Sequence, residues 1–486
     1  MLPRMQVGTP AFLAALAASI GTVSAQTASF TTIGHIESFS LTTPADPLSA
    51  ATIVVSNQPI TVPRNLLITL PGRYATAQDL FRGPVAGGPV EAASGLALAD
   101  PTPPKVPFEA EIIGNIAGGR YVAGVVRISQ GALHVGAGFI QSIDHATGEM
   151  RVGTAGASDG ARVRLNDVTG VFGLANADGA KAALALDRRF ALDPDNAPVH
   201  ARTGFPVCVA RPGAADPKCP AANRPAGEPG LRFTCGVTPN SGVAAAPGCD
   251  PTRPAPLREG DYVTYKGILV SDGGTGFLVA AYDLDAEIGI YTSPGAEPAY
   301  LVIEEGIQGT KGEPFANIPQ EETTRFRIVG FTTDPSRGVE VRLVDSGRNE
   351  TGTSFTGAVG LTPANGPQLG RFRQTFPAKD DARAVRRDVL ALVVGSPHGV
   401  LASGLTSGRY VAPVSEYLYP EPTSFGVRGF PVSVPFENFC FLANGGGTFD
   451  AEGGTLTLAR PDPFPESGHA LSQPVGTGSA RACDGE

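Results

Sequence analysis

Three short blocks occur twice, in the same order, along this chain, and that repetition constrains the fold more than any other feature. Gly34-His-Ile-Glu-Ser-Phe39 is matched by Gly138-Phe-Ile-Gln-Ser-Ile143, and Ile60-Thr-Val-Pro-Arg-Asn65 by Val163-Arg-Leu-Asn166. Glu111-Ile-Ile-Gly114, leading to Gly119-Arg-Tyr-Val-Ala-Gly124, is matched by Asp261-Tyr-Val-Thr-Tyr-Lys-Gly267, leading to Gly276-Phe-Leu-Val-Ala-Ala281. The last block is displaced about fifty residues further than the other two, so the second copy holds an insertion of about that size. Within each copy, short runs of alternating apolar and polar residues are separated by Gly, Asn and Pro. This is the pattern of strands joined by tight turns.

Strand, polar turn, strand, long loop, strand, glycine turn, strand predicts a small closed barrel of about five strands, of the oligonucleotide/oligosaccharide-binding (OB) kind. The chain is too long for one ordinary domain. Its 62 Gly and 44 Pro, with 42% hydrophobic residues, suit an all-β protein built from many short strands. Beyond residue 300, Tyr300-Leu-Val-Ile303, Arg325 to Phe331, Val339 to Val344, Gly370 to Phe376, Val389 to Val394 and Gly408 to Val414 read as strands at the spacing of an immunoglobulin-like β-sandwich. Asp334-Pro-Ser-Arg-Gly338 reads as a type I turn joining two of them, with Gly338 available for a positive φ. The expected division is a signal peptide over 1–25, a first OB-like barrel over 30–130, and a second over 131–300 with a Pro/Cys-rich insertion over 193–256. An immunoglobulin-like sandwich over 301–420 and a C-terminal extension over 421–486 follow.

The signal peptide rests on Arg4, the apolar run Ala11 to Ile20 and the small-residue site Val23-Ser-Ala25. That run is too short to span a bilayer, so a secreted mature protein without a transmembrane segment is expected. In an oxidising compartment six cysteines imply disulfides. Neighbour pairing gives Cys208 with Cys219, Cys235 with Cys249, and Cys440 with Cys483, one of fifteen possible connectivities. No C-x-x-C pair or nearby His suggests zinc. The insertion holds thirteen prolines and is expected to form neither sheet nor helix. Arg202, Arg211, Lys218, Arg224, Arg232 and Arg253 make it mildly basic. It reads as either a binding loop on the barrel rim or a decorated linker.

Thr203-Gly-Phe-Pro-Val-Cys208, then Asp216-Pro-Lys-Cys-Pro-Ala-Ala-Asn-Arg-Pro225, with Pro63-Arg-Asn-Leu-Leu67 upstream, resembles a group of secreted β-rich proteins of bacteria and fungi. The resemblance covers roughly residues 31–300. It implies a shared extracellular architecture and brings no activity, cofactor or site residue with it.

Motifs for hydrolysis, zinc, nucleotide phosphate or dinucleotide binding are absent. A net charge of −9 lacks the footprint of a nucleic-acid binder. His35, His134, His145, His200, His398 and His469 are scattered. Ser396 and His398, with Asp388 as the acid, invite a hydrolase reading. Glu304-Glu305, Glu321-Glu322 and Asp380-Asp381 are adjacent pairs, which on a strand point to opposite faces. Asp283 and Asp285 share a face, and with Asp193-Pro-Asp-Asn196 they leave open a calcium site or, at the latter, an Asx turn. With no Trp, an aromatic platform for sugar falls to tyrosines such as Tyr410, Tyr417 and Tyr419. The resulting expectation is a secreted, non-catalytic binding or scaffold protein for an extracellular protein or glycan, without cofactor, metal or nucleic acid. The alternative is a secreted hydrolase with a dispersed site. A polar cleft between the barrels would mark the hydrolase, and shallow faces and loops the binder.

Overall fold

The structure, a computed structural model, describes residues 28–465 apart from 86, 131–133, 176–185, 214, 228–229, 273–275, 310–324, 345–354, 378–386, 419–438, 444 and 446. The expected signal peptide, Glu321-Glu322, Asp380-Asp381, Tyr419 and Cys483 lie outside the described residues, and the Cys440–Cys483 pair with them.

The chain opens with β1 (Ala28–Leu41), β2 (Ala51–Val55) and β3 (Gln58–Val62). A side hairpin of β4 (Ile68–Leu70) and β5 (Arg73–Ala75) follows, then β6 (Glu109–Ala117) and β7 (Arg120–Ser129). Antiparallel pairing runs β3-β2-β1-β6-β7, and β3 meets β7 in parallel through Ile60 opposite Tyr121, closing five strands into a barrel. Two-residue turns set the registers. Ser56 and Asn57 between β2 and β3, and Gly118 and Gly119 between β6 and β7, all take positive φ. That geometry matches the twist of the strands they join. Ala51, Ile53 and Val55 alternate inward from β2, as the period-two pattern predicts.

The second copy repeats this plan. β8 (Val135–Asp144), β9 (Glu149–Gly153) and β10 (Ala161–Leu165) form the meander. The insertion contributes β11 (Val199–Ala201), β12 (Val207–Cys208), β13 (Arg232–Cys235), β14 (Ala245–Ala246) and β15 (Ala255–Pro256) before β16 (Tyr262–Ser271), β17 (Phe277–Ala286) and the short β18 (Gly289–Thr292). The barrel closes through the parallel pair β10–β17, Val163 opposite Val279.

The insertion is therefore not free of sheet. Its strands are two to four residues long because prolines interrupt them, and most find their partners in parallel: β11 on β17, β12 on β15, and β13 between β14 and β18. Nor does it stand out on a rim. Val199, Phe205, Val207, Phe233 and Ala255 are buried in the core of the second barrel. Disulfides join Cys208 to Cys219 and Cys235 to Cys249, and all four sulfurs belong to buried residues.

Two buried aspartates organise the chain on either side of the inserted stretch. Asp167 accepts hydrogen bonds from the backbone N–H of Thr169, Gly170, Phe172 and Gly173 and from the Thr169 hydroxyl. Asp261 takes both ends of the Arg224 guanidinium, at 2.6 and 2.9 Å, and the backbone N–H of Arg258 at 2.7 Å. Three of the insertion's basic residues are thus structural: Arg224 here, Arg211 on Asp216 and Arg202 on Asp285.

Beyond Tyr300 lie β19 (Leu301–Gly309), β20 (Arg325–Thr332), β21 (Val339–Val344), β22 (Phe355–Leu361), β23 (Arg371–Pro377) and β24 (Asp388–Val393). The two-residue strands β25 (Gly399–Val400) and β26 (Thr406–Ser407), then β27 (Arg409–Pro413) and β28 (Glu416–Leu418), complete the unit. They build two four-stranded sheets, β23-β20-β19-β28 and β22-β21-β24-β27, and the chain passes from one to the other between β27 and β28. The turn at Asp334 exists but is not a hairpin: β20 and β21 belong to different sheets, and Gly338 is not among the positive-φ glycines. It is a corner built on a buried carboxylate. Asp334 accepts from Ser336, Asn240 and Gly295, which ties the insertion to this unit.

The tail returns to the first barrel as the hairpin β29 (Gly447–Ala451) and β30 (Gly454–Leu458). Phe449 and Leu458 pack on Leu67 and Tyr74. Just before it, the Phe439 ring fills the space over Gly124, where any Cβ would lie 2.0 Å from a ring carbon.

One prediction follows from the buried clasp. Arg224→Ala leaves Asp261 charged and unpaired, and should lower unfolding free energy by about 3–5 kcal/mol, measured by urea denaturation. A loss under about 1 kcal/mol would show that the pair carries no structural role.

Candidate binding face

A β-bulge decides which part of the second barrel faces solvent. The register of β16 against β17 shifts between Lys266 and Gly267, where Tyr282 is the extra residue. On one side of the bulge, Ile268, Leu278, Ala280 and Tyr282 point out of the barrel into a core shared with the first barrel and the third unit. Burial there, with the nearby Asp283 charge, pushes the Tyr282 phenol well above its usual pKa. On the other side several outward residues reach solvent, Val135, Phe139 and Tyr262 among them. A bulge re-aims side chains in this way.

The uncovered half spans four adjacent strands, β8, β16, β17 and β11, and its residues line up in rows across them. Phe139 stands opposite Tyr262. Glu287, just past β17, donates its backbone N–H to Tyr262 O at 2.9 Å. Arg202, just past β11, brings Nε to 3.6 Å from Glu287 and Nη1 to 3.4 Å from Glu304 of β19, and also pairs with Asp285. The next row is Ala137, Thr264, Asp285 and His200, and the third Val135, Lys266 and Asp283. At the usual strand spacing, four strands give a row about 14 Å long.

The rows grade from apolar to charged. Phe139 and Tyr262 are 38% and 40% exposed, and their rings meet edge to face at 77° with centroids 5.2 Å apart. Val135 is also exposed. Adjacent exposed apolar side chains of this kind mark interaction surfaces more than scattered ones do. At the charged end, burial opposes the Arg202 charge. The Asp285, Glu304 and Glu287 carboxylates outweigh it and raise the guanidinium pKa. His200 lies buried beneath, its Nδ1 2.9 Å from Ala201 O and 3.8 Å from Asp285 Oδ1. A carbonyl can only accept, so Nδ1 carries the proton.

Other candidates from the sequence disperse. Asp388 is buried at the start of β24, where it accepts from the Tyr74 hydroxyl at 2.6 Å. Ser396 lies past the other end of that strand and donates to Glu297 at 2.6 Å, while His398 is exposed. No triad forms from them. Asp193 closes an Asx turn on the Asp195 N–H and holds Asn196, whose amide bonds both the N–H and the C=O of Val411. Their oxygens serve the protein. Asp283 and Asp285 do share a face, and each meets a cation, Lys266 or Arg202. Among the described residues, no group of three or more His, Cys, Asp or Glu is arranged to hold a metal ion. Glu304, the extra residue where the register of β19 on β20 shifts, goes to Arg202, and Glu305 to Arg327. Tyr410 packs against the core, and the side chain of Tyr417 is outside the description.

Sequence reasoning missed Phe139 and Tyr262. Each sits at an outward position of a strand whose inward positions are filled by Ile140, Val263 and Tyr265, so both phases carry large apolar residues. That double phase was the available signal. A shallow groove of about 380 Å³ on the insertion, lined by Ala222, Phe233, Ala244, Ala246 and Pro247, lacks polar side chains to orient a ligand.

If the aromatic pair serves recognition, it should be dispensable for folding. Phe139→Ala and Tyr262→Ala are each expected to cost only about 1 kcal/mol, the scale of an exposed aromatic pair, read by thermal melting. A loss above about 3 kcal/mol would assign the pair to the core.

Compared with known proteins, the chain matches no family model, no curated protein and no solved structure.

Proposed function

We propose that this is a secreted, non-catalytic binding or scaffold protein that recognises an extracellular protein or glycan across the outer face of its second barrel. The exposed row from Phe139 through Tyr262 and Glu287 to Arg202 carries the proposal. Its aromatic end, Phe139 opposite Tyr262, is built on paired strands, and a site on strands is held more rigidly than one on loops.

The filled seam between the barrels supports binding over catalysis. Ile268, Leu278 and Ala280 of the second barrel share one core with Ile112, Ala123 and Ile128 of the first. Among the described residues, no helix is long and apolar enough to cross a membrane. With the leader-like N-terminus, the two buried disulfides fit an oxidising compartment. The resemblance to secreted β-rich proteins belongs to the same reading. We read the barrels as OB-like, from the strand order β3-β2-β1-β6-β7 closed by a parallel pair and its repetition in the second copy. The two packed sheets that follow we read as an immunoglobulin-like sandwich.

The test is a binding screen of the purified mature protein against arrayed extracellular glycans and peptides, alongside the Phe139→Ala/Tyr262→Ala double variant. A ligand held by the native protein should be weakened at least about tenfold by the variant, as loss of central aromatic anchors does. Equal binding by both proteins, or turnover of ester, peptide or glycoside substrates by the native one, would contradict the proposal.

A further inference from the structure

The chemistry of the exposed row narrows its ligand, and this inference rests on the proposal that the row is the recognition surface. The ring planes of Phe139 and Tyr262 stand at 77°. They offer no common flat platform for a sugar ring. Instead they form two walls of a corner, and the face of an aromatic ring carries negative potential. A compact cation seated there gains attraction from the rings that a neutral hydroxyl does not.

A carboxylate stands beside that corner. Glu287 is 61% exposed, and its ion-pair contact is Arg202 Nε at 3.6 Å, beyond direct hydrogen-bond length. Arg202 also donates to Asp285. An incoming cation can therefore take Glu287 without dismantling the pair beneath it. Across the face, Asp283, Asp285, Glu287 and Glu304 stand against Lys266 and Arg202, an excess of two negative charges. The whole chain carries −9. An anionic ligand is repelled at both scales, and a cationic one is attracted.

We infer that the face binds a basic extracellular peptide segment, with a Lys or Arg side chain in the corner of Phe139 and Tyr262 and Glu287 as its counter-charge. Val135 and Ala137 beside the corner supply apolar contact for the stem of a long basic side chain, which suits an amphipathic residue. Glu304 extends the acidic track onto the third unit, so a second basic residue of an extended segment has a carboxylate to meet.

The chain contains no Trp, so a tryptophan-tagged peptide reports its own binding without background. Fluorescence anisotropy of tagged trilysine and tagged triglutamate should be followed with the native protein, and a cello-oligosaccharide tested as competitor and, by calorimetry, as ligand. Trilysine should bind, lose affinity as salt is added, and resist competition by the neutral sugar. Glu287→Gln and Tyr262→Ala should each weaken it roughly fivefold, whereas Asp450→Asn on the tail hairpin should not. Absence of trilysine binding, or unchanged binding by both variants, would overturn the inference. Oligosaccharide binding that Tyr262→Ala abolishes, without peptide binding, would overturn it while leaving the face as the recognition surface. Binding of any of the three probes that ignores Tyr262 and Phe139 altogether would count against both.

Discussion

The buried ion pair between Arg224 and Asp261 is the contact on which the arrangement of this protein turns. Both side chains are almost fully buried, and the guanidinium also bonds the carbonyls of Gly230 and Pro256. Such a pair contributes little net stability over apolar packing, yet losing one partner is costly, so it acts mainly to fix position. What it fixes is the middle of the insertion against Asp261, the residue before β16. Asp261 also accepts from Ile140 of β8 through its backbone oxygen. Phe139 and Tyr262 are the immediate neighbours of those two residues, so the clasp that closes the insertion also registers the aromatic corner.

The insertion then links the second barrel to the third unit. Phe205 packs edge to face on Tyr300, whose hydroxyl donates to Pro251 O at 2.7 Å. Asn240 reaches Thr292 O and Asp334. β11 lays a further strand on β17 and carries Arg202 to where it meets Glu304 of β19. A stretch that reads as a binding loop or a decorated linker thus packs between the second barrel and the strands beyond Tyr300, and shapes the surface they present.

The barrels were legible in the sequence because their signals are local. Alternation in β2, glycine pairs such as Gly118-Gly119 and the recurrence of whole blocks depend on near neighbours. The pairings Cys208–Cys219 and Cys235–Cys249 were also within reach of a short-loop argument. The insertion was misread because proline frequency argues against sheet only when a strand must be long. Its two- to four-residue strands pair with one another or, in β11 and β13, with β17 and β18, which no local pattern reveals. The turn at Asp334 was legible but its place in the fold was not, because the turn is local and the sheet each flanking strand joins is not. Phe139 and Tyr262 lie far apart in the chain and meet only through the register of β8 on β16. Asp388 and Ser396 are close in the chain, and the length of β24 separates them.

The insertion is part of the folded core and shapes the outer face of the second barrel. Native-state hydrogen exchange measures this most directly, because amides in one cooperative unit open with one free energy. Backbone amides of β13 and β18, which pair from Arg232 opposite Gly289 to Cys235 opposite Thr292, should exchange as slowly as those of β16 and β17. All four strands should lose protection together as denaturant is added. Fast exchange of β13 at low denaturant, with β16 and β17 still protected, would show the insertion to be an appended loop outside the core.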